Sequence, residues 1–241
     1  MTPAPAIVLQ GRADIAGAPL FPELRLKLPA GRWTGLLGAS GVGKSTILRL
    51  IAGLDTGARF SGTIAANDGM PLGDRIAFMG QSDLLAPWLD VLGNVSLGPQ
   101  LRGETPDLSR ARAIIDQVGL TPHVRQRPHT LSGGQRQRAA LARTLFEDRP
   151  VVLLDEPFSA LDARTRAEMQ EIAGRLLEGR TVLLVTHDPG EAARLSHHAW
   201  LMSEAGLQAL DLPATPVVRP VDDAATMAAQ AAMYRKLRGL P

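Results

Sequence analysis

Gly38-Ala39-Ser40-Gly41-Val42-Gly43-Lys44-Ser45 fits the pattern G-x-x-x-x-G-K-[ST], and no other segment constrains the fold of this chain as tightly. Trp33 to Leu37 before it reads as a buried strand. Ser45 to Leu54 after it carries apolar residues at helical spacing, at Ile47, Leu48, Leu50 and Ile51. A strand, a glycine loop and a helix in that order turn backbone N–H groups inward around an anion, and the helix N-terminus adds its dipole. Lys44 is then placed to reach the β- and γ-phosphates of a nucleotide. Ser45, followed by Thr46, is placed to ligate Mg²⁺.

A second segment completes such a site. Val151-Val152-Leu153-Leu154 is a strand buried on both faces, and it ends in Asp155-Glu156. Asp155 is positioned to hold Mg²⁺ through water, and Glu156 to orient an attacking water beside the γ-phosphate. Around these segments strands alternate with helices. Short strands are expected at Ile7–Leu9, Leu24–Leu28, Thr63–Ala65, Arg75–Met79 and Thr181–Thr186. Helices are expected over Gln135–Glu147, Ala163–Leu177 and Gly190–Leu195. The pattern is that of an α/β protein with a mainly parallel, doubly wound sheet.

Composition excludes other classes. The 241 residues suit one α/β domain with a smaller insertion, and 45% hydrophobic residues suffice for a core. Net charge is only +2, and the sequence pI of about 9.5 reflects arginine, since Lys27, Lys44 and Lys236 are the only lysines. No basic run reads as a nucleic-acid footprint. With no cysteine, disulfides, thiolate zinc sites and cysteine nucleophiles are ruled out. The N-terminus does not read as a secretory signal, and no apolar window is long enough to span a bilayer. If the chain serves transport, the pore comes from another chain.

Leu131-Ser132-Gly133-Gly134-Gln135 lies between the two halves of the site. LSGGQ, flanked by the phosphate loop upstream and Asp155-Glu156-Pro157 downstream, resembles the ATP-binding subunits of ABC transporters over roughly Ile7 to Met202. The resemblance implies a P-loop NTPase fold: a RecA-like sheet core, an antiparallel β subdomain and an inserted helical subdomain over about 91–135. Residues 1–203 would form this domain and 204–241 a tail, with a possible helix over 226–237. The resemblance also implies ATP with Mg²⁺, and an ATP-dependent head-to-tail homodimer. In that dimer Ser132 and Gly134 of one copy cap the γ-phosphate bound by Lys44 of the other. Gln81 would contact Mg²⁺ and the water, His187 would hydrogen-bond the γ-phosphate, and Asp162 would end a dimer-facing loop that begins at Ser159. Ile15 and Ala16 stand where the family usually places an aromatic ring against adenine, and the first aromatic residue is Phe21. Either Ile15 or Phe21 meets the base.

Gln81 to Val95 fits Q-x-x-x-L-x-P-W-x-x-V-x-x-N-V and looks like importers for nitrate, sulfonates, taurine and thiamine-pathway pyrimidines. In that branch Leu84, Leu85, Pro87 and Trp88 receive a coupling helix of the permease, and a periplasmic binding protein delivers the solute. The subunit lies on the cytoplasmic face of the bacterial inner membrane. The alternatives are an exporter ATPase and a soluble ABC ATPase of repair or translation. The tail's Met227, Met233, Tyr234 and Leu237, with Arg235, Lys236 and Arg238, read either as a docking helix or as a helix folded back on the domain.

Overall fold

Alternating burial builds the first sheet from β1 (Ile7–Ile15), β2 (Ala18–Leu28) and β4 (Arg59–Ala66), antiparallel in the order β2-β1-β4. Ile7, Leu9, Leu24, Leu26 and Leu28 are buried, while Gln10, Arg12, Arg25 and Lys27 between them face water. Ala16 and Gly17 join β1 to β2 at φ 50° and 83°, the two-residue turn whose twist matches a hairpin. The computed structural model describes residues 3–239. β1 continues to Ile15, well beyond the expected Ile7–Leu9. Polar Gln10, Gly11 and Arg12 hide the strand in sequence, but its pairing with β4 runs from Ile7 to Asp14.

The second sheet contains β3 (Trp33–Gly38), β6 (Val151–Asp155), β7 (Thr181–Val185), β8 (His198–Ser203) and β9 (Gly206–Leu210), in the order β6-β7-β3-β8-β9. The pairs among these five strands are parallel except β8 with β9. Every residue of β3, β6 and β7 is buried, as expected for strands covered on both faces. Parallel pairing brings the C-terminal ends of these three strands to one edge, where ligands bind in open α/β sheets. The chain after 203, read from sequence as a tail, supplies β9 to this sheet.

Contacts divide the chain into two units. The first holds the residues up to Ile76, Pro150–Glu156 and the chain from Glu178 onward; the second holds Ala77–Arg149 and Pro157–Leu177. β5 (Ile76–Met79) starts at the junction. α1 (Lys44–Ile51) belongs to the first unit. The second contains α2 (Val91–Val95), α3 (Leu97–Leu101), α4 (Leu108–Gln117), α5 (Gly133–Phe146) and α6 (Ala163–Leu176). The helical region expected over about 91–135 is thus one part of a larger unit. Its core includes Ala111, Ile115, Val118, Ala139 and Leu141.

In the first unit, α7 (Pro189–Leu195) carries α8 (Ala224–Leu237) folded back against it. Met233, 2% exposed, packs with Leu37, Ala192 and Ala193, which favours docking by about 2 kcal/mol. Asp223 caps α8 by accepting from Thr226 N at 2.8 Å. Buried Arg219 ties the preceding segment down. Its guanidinium donates to the carbonyls of Ala193, Ser196 and Pro213 at 2.6, 2.8 and 2.7 Å. Among the described residues no helix is long and apolar enough to cross a membrane.

His197 sits at this seam, and its Nδ1 accepts from Trp33 N at 3.0 Å. Burial, with Arg32, Arg219 and His198 nearby, pushes its pKa down from 6.5 to about 4. The unfolded chain therefore takes up a proton before the folded one does. The stability His197 contributes is complete above pH 6.5 and is lost as pH falls toward 4. In urea titrations across that window, His197→Gln is expected to flatten the acid-side fall in stability; an unchanged slope would remove His197 as its source.

Candidate functional site

β3 ends at Gly38, and a Cβ there would run into the Met202 carbonyl, so the residue is restricted to glycine. Gly43 caps α1 at φ 101°, with the Phe21 ring behind it. Between them the loop brings Lys44 back over itself. Lys44 is 6% exposed, and its ammonium donates to Gly38 O at 2.8 Å and Ala39 O at 2.7 Å. Burial lowers the Lys44 pKa, while Glu156 and Asp155 push it back up. Ala39, Ser40 and Gly41 stay exposed at the loop rim, and Val42, Ser45 and Thr46 are half-buried. An exposed loop rim beside a buried ammonium, at the N-terminus of α1, is a receptor for a polyanion.

Asp155 ends β6, 3% exposed. Burial raises its pKa first of all; the nearby Ser45 hydroxyl lowers it, Glu156 raises it, and Lys44 and Arg49 lower it. Asp155 Oδ1 is buried with no hydrogen-bond partner. An orphaned carboxylate oxygen beside a serine hydroxyl fits a hard cation with oxygen ligands. Among the described residues no group of three or more His, Cys, Asp or Glu is arranged to hold a metal. A cation here would therefore share its shell with phosphate and water, the usual habit of Mg²⁺.

Glu156 follows in the left-handed region, at φ 50°. That conformation costs a non-glycine residue roughly 1–3 kcal/mol and is typical of functional positions. Its backbone N donates to Val185 O at 2.9 Å, and its Oε2 lies 3.2 Å from Nδ1 of His187. His187 is 61% exposed at the end of β7. Its turn is fixed from beneath, because the buried Thr186 hydroxyl donates to Glu191 at 2.6 Å and accepts from Asp188 N at 3.0 Å. The first unit thus gathers Gly38–Thr46, Asp155, Glu156 and His187. A buried ammonium, a cation-ready carboxylate and a strained carboxylate with a histidine partner equip it to bind and hydrolyse a phosphoanhydride.

The remaining expected residues lie in the second unit. Leu131 is buried, and Ser132 caps α5 through a full capping box. Ser132 Oγ accepts from Gln135 N at 3.2 Å, and Gln135 Oε1 accepts from Ser132 N at 2.8 Å. That box starts the helix at Gly133 rather than the expected Gln135 and leaves Ser132 and Gly133 exposed. Asp162 caps α6 by accepting from Thr165 N at 3.0 Å, and its pKa is lowered by that bond. Gln81 is exposed, beyond the end of β5.

Residues 21–159 match the family model described as ABC transporter. The chain belongs to the ABC transporter ATP-binding family. An uncharacterised ABC transporter ATP-binding protein of Haemophilus influenzae is 41% identical over 230 residues, covering 92% of this chain and 94% of its own. An aliphatic sulfonates import ATP-binding protein of Yersinia pestis is 45% identical over 198 residues, covering 79% and 71%. A solved dimer of an ATP-binding cassette, in a post-hydrolysis state with ADP and Pi, matches with TM-score 0.76 at 27% identity, covering 87% of this chain and all of that one. This chain is an ABC ATPase.

Ile15 and Phe21 are the two residues expected near the base. Phe21 is 2% exposed and backs the phosphate loop, so its ring is already in use. Ile15, 43% exposed near the hairpin turn, is the apolar surface on offer.

The sequence motifs also left out the frame around the Trp88 loop. Asn94, fully buried, donates to the carbonyls of Ala86, Leu89 and Asp90 at 3.1, 3.2 and 3.0 Å, and accepts from Ala86 N at 2.7 Å. Arg143 donates to the carbonyls of Leu84 and Asp83, both at 2.8 Å, and burial lowers its pKa. Arg136, one residue past LSGGQ, joins Asp83 at 2.9 Å to Leu131 O at 2.8 Å. Leu85 and Ala86 are thereby turned inward at 9% exposure, while Leu84 at 67% and Trp88 at 71% face out. Asn94 was visible in the pattern as a fixed letter; its spacing suits four bonds to one loop.

Proposed function

We propose that this ABC ATPase powers import of a small organic sulfonate through separate permease subunits at the cytoplasmic face of a bacterial inner membrane. The nitrate, taurine and thiamine-pyrimidine types belong to the same branch. The reading rests on one observation above all: an outward Leu84 and Trp88, on a loop braced by Asn94 and Arg143, make an apolar contact surface that hydrolysis itself does not need. The sulfonate-import relatives fit the same reading. A binding protein outside the membrane would deliver the solute.

In this reading the loop N–H groups and Lys44 bind the ATP phosphates, and Ile15 lies against the base. Ser45, Asp155 and Gln81 would hold Mg²⁺, which would supply neutralisation of phosphate charge when bound. Glu156 accepts a hydrogen bond from the attacking water and aims it, while His187 steadies that carboxylate and faces the γ-phosphate. The exposed Ser132–Gly133 end of α5, with the positive end of the helix dipole, closes over the γ-phosphate held by an opposing copy, so that two ATP molecules join two subunits. The dimeric relatives fit this arrangement.

Trp88→Ala is expected to leave ATPase turnover of the purified subunit within about twofold of wild type, because the side chain is 71% exposed and its loss opens no core. In a strain deleted for this chain, the same variant is expected to restore little or no uptake of an alkanesulfonate that the wild type restores. Full uptake with Trp88→Ala would refute the docking surface. Restoration of nitrate, taurine or pyrimidine uptake in place of sulfonate would move the cargo within the branch.

A further inference from the structure

α8 carries two apolar stripes, and only one of them has a packing role. Met233, with Ala229 and Leu237, faces the core beside α7. Met227, Ala231 and Tyr234 follow at i, i+4 and i+7 on another face, and Met227 and Tyr234 are each 52% exposed. With Pro189 they wall an open groove of about 890 Å³ that also reaches Arg235 and His187. That volume is in the range of small-molecule sites.

The charge around the groove selects its occupant. Arg235, Lys236 and Arg238 crowd the last turn of α8, and the helix sequence Ala224–Leu237 contains no acidic residue. Among the described residues no hydrogen bond or ion pair engages the Arg235 side chain. Arg238 lies over the Tyr234 ring at 5.7 Å. The acidic residue on the wall, Asp188, is committed to capping α7, accepting from Gly190 N at 2.7 Å. Two copies of this face would set three cations against three, so self-association is disfavoured. An apolar wall that ends in a guanidinium with no partner among the described residues suits a small organic anion with an aliphatic or aromatic body.

We propose that the groove between α7 and α8 is a regulatory site for such an anion. Its head would pair with Arg235 and its body would lie on Met227, Ala231 and Tyr234. His187 forms one end of the groove, and its Nδ1 is 3.2 Å from Glu156 Oε2. A ligand packed against that ring restrains the histidine and, through it, the carboxylate. This link to hydrolysis rests on the reading of Glu156 and His187 given above; the binding itself does not.

The test is isothermal titration of the full-length protein, without nucleotide, with 1-hexanesulfonate. Sulfate serves as head without body and 1-hexanol as body without head. Hexanesulfonate is expected to bind saturably and the two controls not to. Arg235→Ala is expected to weaken binding about tenfold, the loss of one charge-assisted pair. Ala231→Trp, which fills the groove, is expected to abolish it. Basal turnover of Arg235→Ala should match wild type. Hexanesulfonate should change wild-type turnover about twofold or more and leave that of Arg235→Ala unchanged. Absence of saturable heat, or equal affinity in Arg235→Ala, overturns the site. Binding with no effect on turnover overturns the link through His187. Failure of the Glu156 reading would appear separately, as normal turnover in Glu156→Gln.

Discussion

Glu156→Gln is expected to lower ATP turnover at least about 100-fold while leaving ATP affinity within a few fold of wild type. The substitution keeps the shape of the side chain and removes its charge. The backbone bond to Val185 O, which helps hold residue 156 at φ 50°, does not depend on that charge. An amide can still meet Nδ1 of His187, so the turn should survive. What is lost is the anionic acceptor that draws a water proton and aims the oxygen. With binding intact and hydrolysis slow, the ATP-bound dimer should accumulate and be visible by size-exclusion chromatography. Adding Ser132→Arg should remove that dimer, because a long cation would stand at the exposed end of α5. Turnover within about threefold of wild type would remove Glu156 as the water-orienting group. A dimer that persists in the double variant would remove the Ser132 end from the interface.

The parts of the fold legible in sequence are those whose signal is local. β3, β6 and β7 read as unbroken apolar runs because both faces of each are covered. The loop from Gly38 to Ser45 needs its glycines and its lysine at fixed spacing. β8 was not visible: its burial is mixed along His198–Ser203, and it is a strand because β3 and β9 pair with it on either side. β9 depends on β8 in the same way. α8 was legible as a helix, but its partner was not. Met233 and Met227 are the same residue type, and only the packing on α7 decides which is core.

The candidate site divides along the same line. Lys44, Asp155 and Glu156 were legible because motif spacing implies their chemistry. The contact between His187 and Glu156 was not, since 31 residues separate the two positions and β7 must pair with β6 to close the gap. The difference in exposure between Ile15 and Phe21 is also beyond the sequence. Phe21 is taken up by packing behind Gly43, a tertiary fact with no local signature. Asn94 is a fixed letter of the Gln81–Val95 pattern, but Arg136 and Arg143 carry no motif of their own, and their role emerges only from bonds that converge on residues 83–90 or tie that stretch to Leu131.

Lys44→Ala is expected to weaken ATP binding about 100-fold or more, with little effect on the stability of the nucleotide-free protein. The two expectations follow from opposite sides of one balance. Burial of the ammonium is unfavourable, which is why its pKa is lowered; the bonds to Gly38 O and Ala39 O and the nearby Asp155 and Glu156 offset that cost. Removing the side chain removes both terms, so the free protein should unfold at nearly the same temperature. For the nucleotide there is no such cancellation. One or more charge-assisted bonds to phosphate are lost, and the carboxylates of Asp155 and Glu156 are left facing a polyanion without their cation. Lys44→Arg should not rescue binding, because a planar fork cannot occupy the niche formed by two loop carbonyls. Thermal unfolding with and without ATP reads both effects, since a ligand that binds only the folded state raises the midpoint. Wild type should shift upward with ATP and Lys44→Ala should not. An equal shift in the variant would mean that the loop binds phosphate through its backbone alone, and that Lys44 serves the turn of the loop instead.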